Sequence, residues 1–305
     1  MKKIIPLLLL AAIGSGGWNM SRAQSLEERL QKYGEDFAKG YTGPITDAFG
    51  ASLNSGWYHS ADVSDGLDIF IGVKAMLMPI PEDGKKFKIA SIWDNTVQEI
   101  PTAFGEETEV PISGAPPGVS PTKYPQGFNL NYAPMIVPHI SVGNIFGTRV
   151  MLRFLPKTKI GTIGDFEFFG IGVQHSISRY LPLVPIDLSA LVAYQSLSIG
   201  SIVTAKAFTI GAQAGKSISI LSIYGGLAYE SSKMSFGYDG TFDIPNPSPP
   251  PATTTVTKRV GFDTSGKNSF RATVGFSLSL AILIISADYS LASQPAATVG
   301  IGLGW

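Results

Sequence analysis

The chain has 305 residues with 34 Gly, 21 Pro, no Cys and only 15% charged residues, which fits one large β-rich domain and excludes a disulfide-stapled scaffold. Its formal charge is +0, so no basic excess points to nucleic acid. After the amino terminus no apolar run reaches the roughly eighteen residues of a membrane-crossing helix, which excludes a helical membrane protein.

Residues 1–23 carry Lys2 and Lys3, an apolar stretch from Ile4 to Ile13, and the small residues Ser21 and Ala23 at the positions a signal peptidase reads. They are expected to be a cleaved export signal, with the mature chain starting at Gln24. Removing Lys2, Lys3 and Arg22 leaves that chain mildly acidic. An exported chain without cysteine has no covalent framework, so a closed ladder of backbone hydrogen bonds has to hold it.

Residues 25–39 predict an amphipathic helix: Ser25 caps, Glu28 stands at the capping-box position, and Leu26, Leu30, Tyr33 and Phe37 recur at helical spacing. Thr42-Gly43-Pro44 predicts a turn and a new helix start, after which Ile45, Ala48, Phe49 and Leu53 form a second short stripe. The segment 24–62 is therefore expected to be a helical plug in, or cover under, the following domain, with Leu30, Tyr33, Phe37 and Phe49 packing against it. A docking arm for another protein is the alternative.

From Leu67 the period changes to two, and 63–305 reads as the main domain. Leu67, Ile69, Ile71, Val73, Ala75 and Leu77 share one face; Asp68, Gly72 and Lys74 fall on the other. Further strands are predicted at 86–93, 96–104, 128–141, 146–155, 163–176, 186–198, 201–214, 217–231, 268–280, 283–291 and 296–305. Residues up to 242 extend the ninth of these strands. Two Pro-rich stretches, 105–127 and 243–267, read as long loops. The tally is twelve, or fourteen if 229–242 and 253–262 supply a further pair. With both termini on one side, the long loops follow strands three and nine and fall on the other side together.

The last ten residues alternate Ala297, Val299, Ile301, Leu303 and Trp305 with Thr298, Gly300, Gly302 and Gly304. One face is apolar and ends in an aromatic. This stretch resembles the last strand of Gram-negative outer-membrane β-barrels, in which a terminal aromatic is read by the barrel assembly machinery. Trp305 stands where Phe is usual. The resemblance implies an all-β fold, a transmembrane antiparallel β-barrel of about 12 (12–14) strands with a short N-terminal helical plug or cover, set among outer-membrane lipid. It also implies a cell outer membrane location, with Trp305 as the assembly signal. A water-soluble sandwich would need polar outer faces. The strand at 268–280 instead groups Arg271 with Thr273, Gly275, Ser277 and Ser279, opposite Phe270, Ala272, Val274, Phe276 and Leu278.

With the apolar parity facing lipid, the lumen receives Lys74, Arg149, Arg153, Asp187, Lys206, Glu230, Arg271 and Asp288. Charges of both signs in a small barrel pair with one another, or else form a polar contact line for a solute. Strand 201–214 is apolar or small on both faces, with Ile202, Phe208 and Ile210 beside Lys206 and Val203, Ala205 and Ala207 opposite. A partly apolar lumen serves a hydrophobic solute better than an ion. Together with the N-terminal helices, this resembles FadL-like long-chain fatty-acid outer-membrane transporters, which implies a small hydrophobic compound as cargo. The stretch from Tyr41-Thr-Gly-Pro to Gly56-Trp-Tyr58 is similar to an uncharacterised Bacteroidota outer-membrane family; that likeness assigns no activity.

Two further classes stand beside transport. His139-Ile140-Ser141 resembles the His-x-Ser of the outer-membrane phospholipase and implies a hydrolase, with His139 as base and Ser141 as nucleophile. The chain departs from that pattern in Val142-Gly143 and lacks a Ser-Arg-Ser-Trp segment, so the expectation is a non-enzyme. A structural or assembly barrel is the remaining class. His59 and His175 have no carboxylate or His at metal-ligand spacing, and neither metal nor cofactor is expected.

Overall fold

Period-two alternation with one apolar face becomes a single antiparallel ladder that closes on itself. The computed structural model describes residues 34–63, 67–91, 93–117, 121–160, 164–181, 184–246 and 252–305. The export segment 1–23 and the plug residues Leu30 and Tyr33 lie outside them.

The strands are β1 (Asp68–Pro79), β2 (Lys86–Ala90), β3 (Val97–Pro101), β4 (Val110–Pro111), β5 (Lys123–Tyr124), β6 (Tyr132–Ile145), β7 (Thr148–Ile160), β8 (Gly164–Ser176), β9 (Asp187–Ile199), β10 (Val203–Ile218), β11 (Leu221–Asn246), β12 (Ala252–Ser265), β13 (Phe270–Leu280), β14 (Leu283–Leu291) and β15 (Ala296–Gly304). The large sheet has the order β10-β9-β8-β7-β6-β1-β15-β14-β13-β11-β12, and pairing of β10 with β11 closes it. The lower half of β11 pairs with β13 and its upper half with β12, so β12 and β13 lie end to end along one edge of β11. The wall is thus a ten-strand barrel plus one extra strand, not twelve.

The two surplus predicted strands are identifiable. Residues 86–93 and 96–104 do alternate, but they contribute β2 and β3, a separate hairpin of five-residue strands outside the wall. Five residues fall short of the about nine to eleven that cross a bilayer. The whole of 80–131 is therefore one long excursion at one end of the barrel. At the other end β6–β7, β10–β11 and β13–β14 are joined by two-residue turns, with the longer 177–186 between β8 and β9: Phe146 and Gly147 both have positive φ, as the type I′ hairpin turn requires, and Ser219 and Ala281 also have positive φ.

Outward positions form a continuous apolar belt that includes Ile71, Leu152, Phe154, Ile171, Val192, Ile210, Leu227, Val274, Ile301 and Leu303. No helix of the described residues is long and apolar enough to cross a membrane.

Among the described residues one helix fills the interior, and most of the helix expected at 25–39 lies outside them. α1 (Glu35–Asn54) runs through Pro44 without a break and is buried on nearly every side, from Phe37 and Tyr41 to Ala51 and Leu53. Glu35 and Asp36 sit in its first turn, where carboxylates oppose the helix dipole favourably, and Lys39 pairs with Glu35 at 2.7 Å. Ser55 ends it in extended backbone, and Gly56 follows at φ +68°. A twenty-residue helix is about 30 Å long, enough to run the height of the wall.

Its direction is fixed by its contacts. Phe37 stacks on Tyr124 at 5.8 Å and packs on Phe87 at 5.9 Å, both in the long excursion, and Tyr41 accepts a backbone bond from Ala103. Thr46 bonds Thr264, Asp47 meets Lys267, and Asn54 donates to Ser231. The helix therefore enters at the long-loop end and descends. Residues 55–63 continue to the tight-turn end, where Ile69 and Trp305 exchange backbone bonds. The two ends of the described chain thus lie at opposite mouths, unlike the expectation that both share one side.

Candidate functional site

The lumen divides into an apolar upper chamber and a polar floor. In the chamber, inward residues at one level run Leu155, Phe168, Leu197, Ala205 and Met234 around five neighbouring strands. Met76, Met78, Met135 and Val137 line the opposite wall. All pack in one cluster with Phe37, Ala48, Ala51 and Leu53 of α1, and Phe49 lies partly buried against it. The helix turns small residues to the wall where it must approach closely: a Cβ on Gly50 would lie 2.1 Å from the Ser232 hydroxyl oxygen.

Below Leu53 the lining becomes charged. Arg153 is fully buried: Nε donates to His139 Nδ1 at 3.1 Å, Nη1 to Gln195 Oε1 at 3.1 Å and Nη2 to the Ser55 carbonyl at 2.9 Å. Arg271 holds Glu230 with Nε at 2.7 Å and Nη2 at 3.1 Å, while Nη2 also reaches the Ala51 carbonyl at 2.9 Å. Arg149 binds Asp68, Gln174 at 2.9 Å and the Asp62 carbonyl at 3.1 Å. Three arginines therefore tie the end of α1 and the strap after it to the wall. Arg271 and Arg153 give charge-assisted bonds to the Ala51 and Ser55 carbonyls at the helix terminus, and Arg149 gives one to the Asp62 carbonyl of the strap.

Trp57 and Tyr58 of that strap lie against glycines. A Cβ on Gly172 would come within 2.9 Å of the Trp57 ring, and one on Gly226 within 2.6 Å of the Tyr58 hydroxyl. Lys74 is buried with Nζ donating to Ser286 at 3.0 Å, and Tyr224 approaches Asp288 at 3.5 Å. A cavity of about 20 Å³ beside Trp57, Tyr58, Gln213, Arg271 and Asp288 has room for about one water.

Six of the eight residues expected in the lumen are there and buried: Lys74, Arg149, Arg153, Glu230, Arg271 and Asp288. Asp187 is only half-buried, at the start of β9 by the tight-turn mouth. Lys206 is a correction: it points outward with Phe208 and Ile210, while Val203, Ala205, Ala207 and Thr209 face in. The physical reason is room. Small side chains face inward where the helix passes, so on β10 the bulky apolar face is the outer one and carries the lysine with it. Ile210 and Phe208 therefore do not line the lumen, and its apolar character comes from the Met, Leu and Phe residues of the chamber.

Sequence reasoning missed Gln174, Gln195 and Gln213, which share inward parity with the arginines: Gln174 accepts from Arg149 and donates to the Ser60 carbonyl and Ser189, Gln195 accepts from Arg153 and donates to the Leu53 carbonyl of α1, and Gln213 accepts from Ser189. Long amides on the predicted luminal parity were the available signal. His139 and Ser141 both face the lumen and are 1% exposed. They are not joined: His139 Nδ1 accepts from Arg153, and the Ser141 hydroxyl has no hydrogen-bond partner among the described residues. His59 lies against Phe70 at 5.1 Å, and His175 bonds Thr148 and Tyr180.

The whole chain, residues 1–305, matches the family described as "Family of unknown function (DUF6588)", and the protein belongs to that family. No curated protein matches it. Among solved structures it is similar to Ail, the attachment invasion locus protein of Yersinia pestis, at 10% identity over 79% of this chain and 100% of that one, with a TM-score of 0.29. It is also similar to the Ralstonia pickettii toluene transporter TbuX, at 12% identity over 90% of this chain and 98% of that one, with a TM-score of 0.24. A mutant Rh. blastica porin follows at 11% identity over 79% and 100%, with a TM-score of 0.18. At these scores the likenesses carry no functional argument.

Proposed function

We propose that the protein is an outer-membrane β-barrel that admits a small hydrophobic compound, with α1 as a displaceable plug and no covalent chemistry of its own. The outward apolar belt supports the membrane reading, because a soluble barrel would not leave Leu227, Val274, Phe276 and Leu303 about half exposed or more on neighbouring strands. Export through the 1–23 signal and recognition of Trp305 by the assembly machinery belong to the same reading.

The observation that carries the cargo class is the chamber itself. Met76, Met78, Met135, Leu155, Phe168, Leu197 and Met234 would face an empty lumen if α1 withdrew. Flexible thioethers and aromatics adapt to apolar solutes of varied shape, whereas an ion would find no partner there.

A reversible lock tests it. The chain has no Cys, so Thr46→Cys with Thr264→Cys places one thiol on α1 against one on β12. In reconstituted vesicles, uptake of a fatty acid or aromatic hydrocarbon is expected to fall on oxidation and return on reduction. Equal uptake in both states rules out plug movement. Negligible uptake in both favours a second reading, a structural barrel with a permanent plug. The three arginine ties to Ser55, Ala51 and Asp62 support that alternative.

A further inference from the structure

On the outside of the wall, where β12 stops at Ser265 and β13 starts at Phe270, the edge position beside β11 is interrupted. The interruption leaves an open depression of about 410 Å³ whose outer lip is formed by exposed side chains and whose deep side reaches Ala207, Glu230, Ser232 and Asn268. Lys206 and Lys233 stand directly opposite each other across β10 and β11 at its upper edge, and both are exposed. Like charges in that position repel. Lys233 is neutralised by Asp263 at 2.7 Å; Lys206 has no hydrogen-bond or ion-pair partner among the described residues.

The surroundings are as particular as the charge. Tyr194, Phe208 and Tyr229 form the lower rim, with Phe270 packed edge-on against Tyr229 at 5.7 Å. Ser231, Ser265 and Ser269 bring exposed hydroxyls that make no bond with the described residues. Below the rings the outer face is apolar, with Ile210, Leu227 and Ile223; above the lysines it carries Ser235, Asp239, Arg259 and Asp263. Aromatic rings between an apolar band and a polar wall mark the level of lipid head groups.

We propose that this depression binds the phosphorylated head group of an anionic lipid in the leaflet at the long-loop end. The phosphate lies between Lys206 and Lys233 and accepts from the serine hydroxyls, while the acyl chains run down over Phe208, Ile210 and Leu227. The anion satisfies the unpaired Lys206 ammonium and shares the Lys233 ammonium with Asp263. A diffusing inorganic phosphate could meet the same ammoniums, but would leave the aromatic rim and the apolar face beneath it unused. The inference rests on the membrane reading above, and not on transport or on movement of α1.

The test compares protein in nanodiscs of phosphatidylcholine alone with protein in nanodiscs holding one-fifth phosphatidylglycerol, with retained lipid counted by native mass spectrometry after detergent extraction. Each lysine at the surface is worth about fivefold in affinity for an anionic head group. Wild type is expected to retain phosphatidylglycerol preferentially. Lys206→Gln should reduce that preference about fivefold, and Lys206→Gln with Lys233→Gln about twenty-five-fold, with the preference also falling as salt rises. Both substitutions lie on the outer surface and leave the luminal ties intact, so unchanged heat-modifiable migration certifies folding.

Equal retention of the two lipids, or an unchanged preference in the double variant, overturns the site. A titration of inorganic phosphate against the detergent-solubilised protein that displaces phosphatidylglycerol at low millimolar concentration would show a phosphate site instead of a lipid site. Failure of the chain to enter nanodiscs at all would end the membrane reading, an outcome distinct from insertion without lipid preference.

Discussion

The guanidinium of Arg153 lies 4.0 Å from the centre of the Trp57 ring, and the same group donates to the carbonyl of Ser55 two residues earlier. One buried cation thus grips both the stop of the plug helix and the first aromatic of the strap. Arg153→Ala leaves His139, Gln195 and Ser55 as buried acceptors without a donor, at about 1–3 kcal/mol for each group left unpaired. A clear drop in the temperature of heat-modifiable migration is expected, with a red shift in tryptophan emission as the Trp57 ring meets water. Arg153→Lys should recover only part of it, because an ammonium cannot reproduce the flat stack and the three-way fork.

Trp57 seats on β8 only because Gly172 has no side chain. Gly172→Ala puts a methyl within 2.9 Å of the ring and should cost about 1–3 kcal/mol by overpacking. Because the wall itself keeps its ladder, the barrel should still form. The expected readout is higher ion conductance in planar bilayers at unchanged assembly; conductance equal to wild type would mean that the strap tolerates displacement.

Among the described residues Glu230 is the one carboxylate that Arg271 holds, and both side chains are almost wholly buried. Glu230→Gln should destabilise by about 3–5 kcal/mol, since it leaves a cation in the lumen without its counter-charge. Glu230→Gln combined with Arg271→Met should recover much of the loss. Equilibrium unfolding in urea with detergent compares the two variants.

The long excursion contains one acid that reports on its order. Hydrogen bonds from the Ser113 hydroxyl and the Thr96 backbone hold the Asp94 carboxyl below the ordinary carboxylate range. A carboxyl lowered in the folded state stabilises that state above its unfolded value, near pH 4, and the contribution is lost as pH falls through the lowered value. The Thr96 amide should show a high protection factor at pH 7 and a lower one at pH 3, so that its exchange slows less on acidification than the fall in intrinsic rate predicts. Asp94→Asn should remove the difference.

A hydrolytic role for His139 and Ser141 predicts phospholipid cleavage that disappears with Ser141→Ala. The expected outcome is no cleavage by wild type, since His139 is engaged as an acceptor by Arg153 and both groups are enclosed.

The wall was legible because apolar outward positions alternate with polar or small lumen-facing ones in β1, β13 and β15, and because Lys74, Arg153 and Arg271 share the inward parity. What misled was alternation without length: Phe87 and Ile89 face inward from a hairpin that packs on α1, and a five-residue strand shows the same period as a spanning one. Pro44 also read as a boundary, yet in α1 it removes only one backbone bond, and packing from all sides outweighs that loss. Parity on β10 was ambiguous because both faces are apolar, and only the bulk of α1 decides that Ala205 and Ala207 turn in. The ties of Ser55 and Asp62 to distant strands left no local signal, since their partners lie across the barrel.

The path of residues 34–63 gives the molecule the character of a rotaxane. The described chain passes through a ring that the same chain then builds, entering at the long-loop mouth and emerging beside β1. The seam between β1 and β15 completes that ring, pairing Leu77 with Ala297 at one end and Phe70 with Gly304 at the other. If the seam zips before α1 is inside, the helix is stranded beyond the rim and has to back in past the aromatic cap of Phe87 and Tyr124. Capture of the axle before closure of the ring avoids that passage, and on this order the slow step of refolding should answer to substitutions at Gly50 and Gly172, where axle and ring touch, more than to changes on the outer belt.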